Sequence, residues 1–166
     1  MAKETTSERL GAIERRLDLL EGRRAAPAEV SADDQFWALN TLKGLVEEPG
    51  ALLFTGTVTP AEGEHFDWQE GKLLDQLLAQ DWSELAASLA ALAHPVRLSL
   101  VQDVLTGKRT ASELSADERF GTSGQLYHHL RQLVSAGWLK STGRGHYSVP
   151  PQRVVPLLVI LMGADR

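Results

Sequence analysis

The stretch from Thr122 to Ser135 combines two kinds of side chain in a helical rhythm. Its leucines recur at intervals of four and three residues, which predicts one buried helix face. The other side chains include hydroxyl, amide, imidazole and guanidinium groups, with no Asp or Glu among them. A solvated helix face normally mixes both charges, whereas cationic and hydrogen-bonding groups without carboxylates suit phosphates and base edges. The chemistry predicted here is recognition of a nucleic acid.

The start of this helix has the pattern of a capped N-terminus. Thr122 and Gln125 have the spacing of a capping box, in which each side chain bonds to the backbone of the other residue. The backbone N–H groups of Thr122 and Ser123 could also meet a phosphate. Two alternatives stay open for Gln125: contact with a base or phosphate, and engagement in the cap. Leu126, Leu130 and Leu133 are the predicted anchors to the core.

Two shorter elements and a hairpin are predicted to position this helix. Residues 110–113 form a second capping box that begins a short helix, and residues 117–121 turn the chain. Residues 142–145 predict the tip of a basic hairpin whose return strand is 146–149. Helix, turn, helix and hairpin in this order describe a winged helix-turn-helix. Arg144 lies between two glycines at the tip, where contact with DNA is its predicted role.

Several motifs resemble the ArsR-type family of winged-helix regulators. They are Leu92-Ala93-His94-Pro95-Val96-Arg97-Leu98, Ser112-Glu113-Leu114, Tyr127-His128-His129-Leu130-Arg131-Gln132-Leu133 and Ala136-Gly137-Trp138-Leu139, within residues 85–163. The resemblance implies a bacterial-type transcriptional regulator that binds double-stranded DNA as a homodimer. With the helix start included, the DNA contacts expected are Thr122, Ser123, Gln125, Tyr127, His128, Arg131 and Arg144. For Tyr127, packing of the ring in the core is an open alternative.

The metal sites of that family are not matched in this sequence. Metal sensors of this type use paired cysteines near the first helix of the motif, where Thr110 and Ser112 stand, and the chain contains no cysteine. Others use Asp and His on the C-terminal helix, where apolar residues 154–162 stand. We therefore expect no metal and no cofactor. A small-molecule effector is left open, with no identity indicated.

Residues 154–162 are apolar throughout and predict a helix that is buried on most sides. Pro156 is expected in its first turn, where proline is tolerated. A second copy of the chain is the predicted cover, and packing wholly within the chain is the alternative. The dimer contacts predicted are Val155, Leu158, Val159, Leu161 and Met162, together with Leu10, Ile13 and Leu17 of an N-terminal amphipathic helix.

The predicted fold class is mainly α with a small β component (α+β). Residues 1–24 form the N-terminal helix, 33–80 a helix plus a β-hairpin, and 81–166 the winged domain with its dimerisation helix. Segment 33–80 is interpreted as a dimer contact or a sensor. The aromatic residues of the N-terminal half either pack in a core and a dimer contact or line a ligand pocket: Phe36, Trp37, Phe54, Phe66, Trp68 and Trp82.

Charge is distributed unevenly along the chain. The net charge is −5, but residues 95–153 carry eight Lys or Arg against four Asp or Glu, a balance of +4. This distribution favours one face that meets a polyanion. The acidic remainder keeps open the alternative of a winged helix that binds another protein, and a ligand-gated regulator is a further one.

Other classes of function are not indicated. No Gly-rich phosphate loop, nucleophile motif or metal pattern accompanies the carboxylates, so we expect no enzyme. No secretory signal and no apolar run of roughly 18 residues is present, so a cytoplasmic protein without a membrane partner is expected. The predicted function is sequence-specific repression of transcription at a roughly palindromic operator.

Overall fold

The computed structural model describes residues 35–143 and 145–165. The chain divides into two compact units, with the boundary between Leu45 and Val46. In the described part of the first unit, helix α1 spans Trp37–Leu45. The side chain of Trp37 at its start is largely exposed. The predicted N-terminal helix, with Leu10, Ile13 and Leu17, lies outside the described residues, as does Arg144.

The second unit begins with a β-hairpin. Strand β1 (Ala51–Val58) pairs in antiparallel register with β2 (Phe66–Leu73), from Ala51 opposite Leu73 to Val58 opposite Phe66. Aromatic and β-branched side chains favour this extended conformation, and Pro60 and Gly63 lie in the connecting turn. The predicted hairpin is confirmed; its return strand was expected at residues 64–69, and in the structure it begins two residues later and ends four residues later.

A largely helical region follows the hairpin. Its helices are α2 (Leu74–Ala79), α3 (Ala86–Leu92), α4 (Pro95–Leu105), α5 (Ala111–Ser115), α6 (Ser123–Ser135) and α7 (Pro151–Ala164). Short 3-10 turns occupy Trp82–Leu85 and Glu118–Phe120. Strands β3 (Lys140–Gly143) and β4 (His146–Ser148) form a second antiparallel hairpin between α6 and α7. The predicted α+β class is confirmed.

One apolar core joins α3, α4, α5, α6 and α7. Its most completely buried side chains are Leu100, Val101, Val104, Leu114, Phe120, Leu126, Leu130, Leu133, Trp138, Leu139, Val154 and Leu157. The three leucines predicted as anchors of α6 are all in this core. Burial of one leucine stabilises the fold by roughly 1.5–3 kcal/mol relative to its exposure. Helix α6 is therefore fixed by its inner face, which leaves its outer face to solvent.

The first hairpin packs against α7 through a glycine. A Cβ atom at Gly56 would lie 2.7 Å from Cγ1 of Val155, so only glycine permits this approach. Val155, a predicted dimer contact, is 2% exposed and is covered by the hairpin of its own chain. The C-terminal part of α7 is more open, with Ile160, Leu161 and Met162 exposed.

Helix α7 begins earlier than the apolar run suggests. It begins at Pro151, because proline at the first helical position has a suitable φ and needs no N–H partner. Pro156 is consequently the sixth residue of the helix, and its predicted place in the first turn is wrong. Across the described ranges no single helix is long and apolar enough to cross a membrane, although Trp82–Leu92 and Pro95–Leu105, a bent pair, meet that test together.

Candidate nucleic-acid interface

The predicted capping box at the start of α6 is present. Thr122 Oγ1 accepts from the Gln125 backbone N–H at 3.4 Å, and Gln125 Oε1 accepts from the Thr122 N–H at 2.9 Å. The Gln125 oxygen is therefore used in the cap. Its Nε2 group donates to no other described residue, and the side chain is exposed. The two alternatives for Gln125 are thus compatible, since each uses a different atom of the amide.

Gly121 brings the chain into α6 in a backbone conformation that favours glycine. Its φ is 72° and its ψ is −146°, a region that side chains with a Cβ atom rarely occupy. A Cβ atom at this position would overlap Gln125 Oε1, the oxygen that caps the helix. Both the turn and the helix cap therefore require a residue without a Cβ atom at position 121.

The outer face of α6 exposes the residues predicted to face DNA. Those that the structure describes as exposed are Thr122, Ser123, Gln125, Tyr127, His128 and Arg131. Tyr127 is 44% exposed, so its ring is not a core residue. Arg131 donates its Nε–H to the Tyr127 carbonyl at 3.2 Å, which holds the guanidinium along the helix surface. The structure brings these side chains together on one face, and their contact with DNA stays a prediction.

The second hairpin is attached to the segment that precedes α5. The Tyr147 N–H donates to the Arg109 carbonyl at 2.8 Å, and the Ala111 N–H donates to the Gly145 carbonyl at 2.8 Å. Thr110 and His146 form an isolated antiparallel β-bridge. Burial raises the pKa of the Tyr147 phenol; Tyr127 adds to this shift and Arg131 opposes it. Tyr147 also packs against the apolar core, so the wing hairpin is fixed both to the core and to residues 109–111.

Residues 92–141, from the end of α3 into β3, match a family described as a helix-turn-helix domain. The chain contains a winged helix-turn-helix domain. No curated protein and no solved structure matches the chain. In helix-turn-helix domains the second helix of the motif commonly contacts DNA, and the helix in that position here is α6. At this level of detail the chain is a DNA-binding regulator, with DNA as its partner.

The turn of the helix-turn-helix domain is fixed by a cluster of ion pairs. Asp103 of α4 is 8% exposed and contacts Lys108 Nζ at 3.2 Å and Arg119 Nη2 at 3.0 Å. Arg119 also contacts Asp117 at 2.7 Å. A buried carboxylate is costly unless it is paired, and here two cations compensate it. The cluster therefore ties α4 to the chain that leads into α6.

These pairs change the charge argument made from the sequence. Lys108 and Arg119 are bound to carboxylates, and Arg109 forms an ion pair with Glu64 of the first hairpin. Their charge is largely neutralised within the domain. Arg131 and Lys140 form no ion pair within residues 35–143 and 145–165, so more of their charge is available to a polyanion. The positive balance of residues 95–153 is consequently concentrated on fewer side chains than the composition suggests.

The carboxylate of Asp117 should make the free energy of unfolding depend on pH in the acid range. Hydrogen bonds from the Arg119 side chain, aided by its backbone N–H, lower the pKa of Asp117 from 3.8 to about 2. Since the folded value lies below the unfolded one, this carboxylate stabilises the fold above the unfolded pKa, and the contribution is lost as the pH falls towards about 2. Asp117→Asn should lower the urea midpoint at neutral pH and weaken its decline in acid.

The matched control is Asp75→Asn. Asp75 is exposed on α2; its Oδ1 accepts from the neighbouring Gln76 N–H at 2.7 Å, but it forms no ion pair within the described part of the chain. Its removal should leave the dependence of the urea midpoint on pH as in the original chain. An Asp117→Asn profile that runs parallel to the original at every pH would contradict the role of this carboxylate.

Two histidines join α4 to α6. His94 caps α4, because its Nδ1 accepts from the Val96 N–H at 3.2 Å, as expected for the residue before a helix-starting proline. Its ring centroid lies 4.8 Å from that of His129 on α6. Burial lowers the pKa of His129, and His94, Arg97 and His128 add to this shift. The half-buried position of His129 fits a structural role better than base reading.

The aromatic residues described in the second unit do not share one environment. Phe66 packs against the core, whereas Trp82 is 57% exposed. Two open cavities, of about 390 and 290 Å³, have other linings, including Arg97 and Gln132 in the first and Leu98 in the second. Within the described ranges no cluster of three or more His, Asp or Glu could hold a metal ion. A sensor or dimer role for segment 33–80 stays a prediction.

Proposed function

We propose that the protein is a sequence-specific transcriptional repressor of the ArsR type, which acts in the bacterial cytoplasm and binds a roughly palindromic operator as a homodimer. The observation that carries this proposal is the outer face of α6. That face is exposed and free of carboxylates, while three buried leucines anchor the helix from the other side. A helix presented in this way fits the major groove of B-DNA, which is about 12 Å wide.

The side chains of this face have separate proposed roles. Arg131 contacts a phosphate, and Gln125 Nε2 and His128 contact base edges. The backbone N–H of Ser123 adds a phosphate contact at the helix N-terminus, whereas the Thr122 N–H is already bonded to Gln125 Oε1. The Tyr127 hydroxyl and the Arg144 side chain are proposed as further contacts to the DNA. Contacts of both kinds give affinity through the phosphates and sequence preference through the bases.

The homodimer part of the proposal is supported by α7. Leu161 is 40% exposed and Met162 is 71% exposed, and Ile160 adjoins them. Leu158 and Val159 are half-buried and continue the same apolar surface. A second copy of this helix would cover it. Two recognition helices would then meet half-sites about one DNA turn apart, roughly 34–36 Å, or a multiple of it.

Arg131→Ala should weaken binding to operator and to unrelated DNA alike. A charge-assisted hydrogen bond contributes roughly 1.5–3 kcal/mol, so we expect a loss of about tenfold or more. The dependence of log affinity on log salt should become shallower by about one, since one phosphate contact is lost. Titration of fluorescent duplexes at several salt concentrations measures both quantities.

Lys72→Ala is the matched control for charge. Lys72 lies on β2, outside the helix-turn-helix domain, and its substitution changes the net charge by the same amount. Its salt dependence should equal that of the original chain. His128→Ala and Gln125→Glu should alter sequence preference, the latter with the cap oxygen retained. Unchanged binding in all three α6 variants would overturn the assignment of this face.

A protein-interaction module is the second candidate. The net charge of −5 and the neutralisation of Lys108, Arg109 and Arg119 by carboxylates favour it. A gel-shift series with the promoter of the protein's own operon, with and without excess competitor DNA, separates the two. Lack of specific retardation at low salt favours the interaction module. If a small molecule controls DNA binding, that molecule should also raise the melting temperature of the protein.

A further inference from the structure

Arg97 connects the C-terminal end of α3 to the C-terminal half of α6. Its Nε–H donates to the Ala91 carbonyl, and its Nη2 donates to the Ala90 carbonyl at 2.9 Å. These carbonyls lie in the last turn of α3, where backbone donors are few, and the Ala90 carbonyl also accepts from the Ala93 N–H at 3.2 Å. The Nη1 group donates to Gln132 Oε1 at 2.6 Å. The guanidinium is thus fixed by two carbonyls at the end of α3, and its Nη1 group bonds to α6.

The contact with Arg97 determines the orientation of the Gln132 amide. A guanidinium has only donors, so the atom of Gln132 that faces it must be the oxygen. The amide nitrogen is thereby turned to the other side, where Gln132 Nε2 lies 3.0 Å from Nε2 of His128. An amide nitrogen only donates, so His128 Nε2 must accept. In the neutral ring the proton is then on Nδ1.

We propose that Arg97 and Gln132 are positioning residues that set His128 as the Nδ1–H tautomer, and so fix it as a hydrogen-bond donor to DNA. This inference rests on the proposed function of α6. His128 is exposed, and its Nδ1 donates to no described residue. An Nδ1–H group contacts base atoms that accept, such as guanine N7 and O6, adenine N7 or thymine O4, and not the cytosine amino group.

The tautomer of His128 can be measured on the full chain without DNA. The measurement uses long-range ¹⁵N–¹H correlation spectra at a pH where the ¹⁵N chemical shifts of His128 show a neutral ring. In these spectra Nδ1 of His128 should be protonated and Nε2 should not. Gln132→Met removes the donor and keeps the length of the side chain, so both tautomers should become populated. Gln132→Glu retains an acceptor for Arg97 but presents only acceptors to His128, so the proton should move to Nε2. Gln102→Met, an exposed substitution on α4, is the control and should leave the spectrum of His128 unchanged.

The wild-type spectrum decides the inference even if a variant fails to fold. A proton on Nε2 in the wild-type chain overturns it, and so does an unchanged His128 spectrum in folded Gln132→Glu. Selection from a random duplex library then tests the consequence: Gln132→Glu should change the preferred base at one position of each half-site. An unchanged preference with a switched tautomer overturns the donor role in recognition. Absence of any selected sequence counts against the proposed function, whereas the tautomer is read separately.

Discussion

Replacing Gly121 by alanine should lower both the stability of the domain and its affinity for DNA. The alanine would have to keep a φ of 72°, and its Cβ would overlap the capping oxygen of Gln125. Strain in such a conformation costs about 1–3 kcal/mol. Loss of the cap adds about 1 kcal/mol and moves the first turn of α6, which carries Ser123 and Gln125. Urea unfolding followed by circular dichroism measures the first effect, and duplex titration measures the second.

Gly107→Ala separates strain from damage to the cap. Gly107 also has a positive φ, of 114°, but no atom lies within 4 Å of the Cβ that alanine would add. We expect a loss of stability of about 1–3 kcal/mol and unchanged affinity of the folded protein for DNA. Equal affinities for Gly121→Ala and Gly107→Ala would show that the entry into α6 does not depend on Gly121.

Trp138→Ala should have the largest effect on stability, a loss of about 3–5 kcal/mol. The ring is 1% exposed and follows the C-terminus of α6. Its Nε1–H donates to the Ser88 carbonyl of α3 at 2.8 Å, and the Arg153 guanidinium of α7 lies 4.9 Å from the ring centroid. Three helices therefore depend on one side chain. Chemical denaturation gives the free energy of unfolding directly.

Trp82→Ala is a control with the same chemistry and different burial. The Trp82 Nε1–H also donates to a backbone carbonyl, that of Leu77, at 2.8 Å, but its ring is 57% exposed. We expect a loss of about 1 kcal/mol, close to the contribution of the hydrogen bond. A comparable loss in both variants would mean that burial is not what makes Trp138 important.

Local features of the domain could be predicted from the sequence. The capping boxes at Thr110 and Thr122, the buried leucines of α6 and the hairpin before α7 all follow from residues a few positions apart. Each depends on backbone geometry that repeats within a single turn or strand. The exposed face of α6 followed for the same reason, because a helix with one buried face must present the other.

Contacts between distant residues could not be predicted in this way. Ion pairing of Arg109 with Glu64 joins residues 45 positions apart, and the bond from Arg97 to Gln132 spans 35 positions. Nothing in the spacing of these residues indicates that they meet. Which cations are neutralised, and which are left for DNA, is consequently a property of the packed domain.

The sequence by itself determined helix α6 of this protein, its ends and its polar face, because helical periodicity and capping act within four residues. The tertiary structure decided what surrounds that helix. It covers Val155 with the first hairpin through the small volume of Gly56, and it brings Arg97 to Gln132 and thereby to His128. These arrangements depend on the angles and distances at which helices and strands pack, which no local pattern of residues specifies.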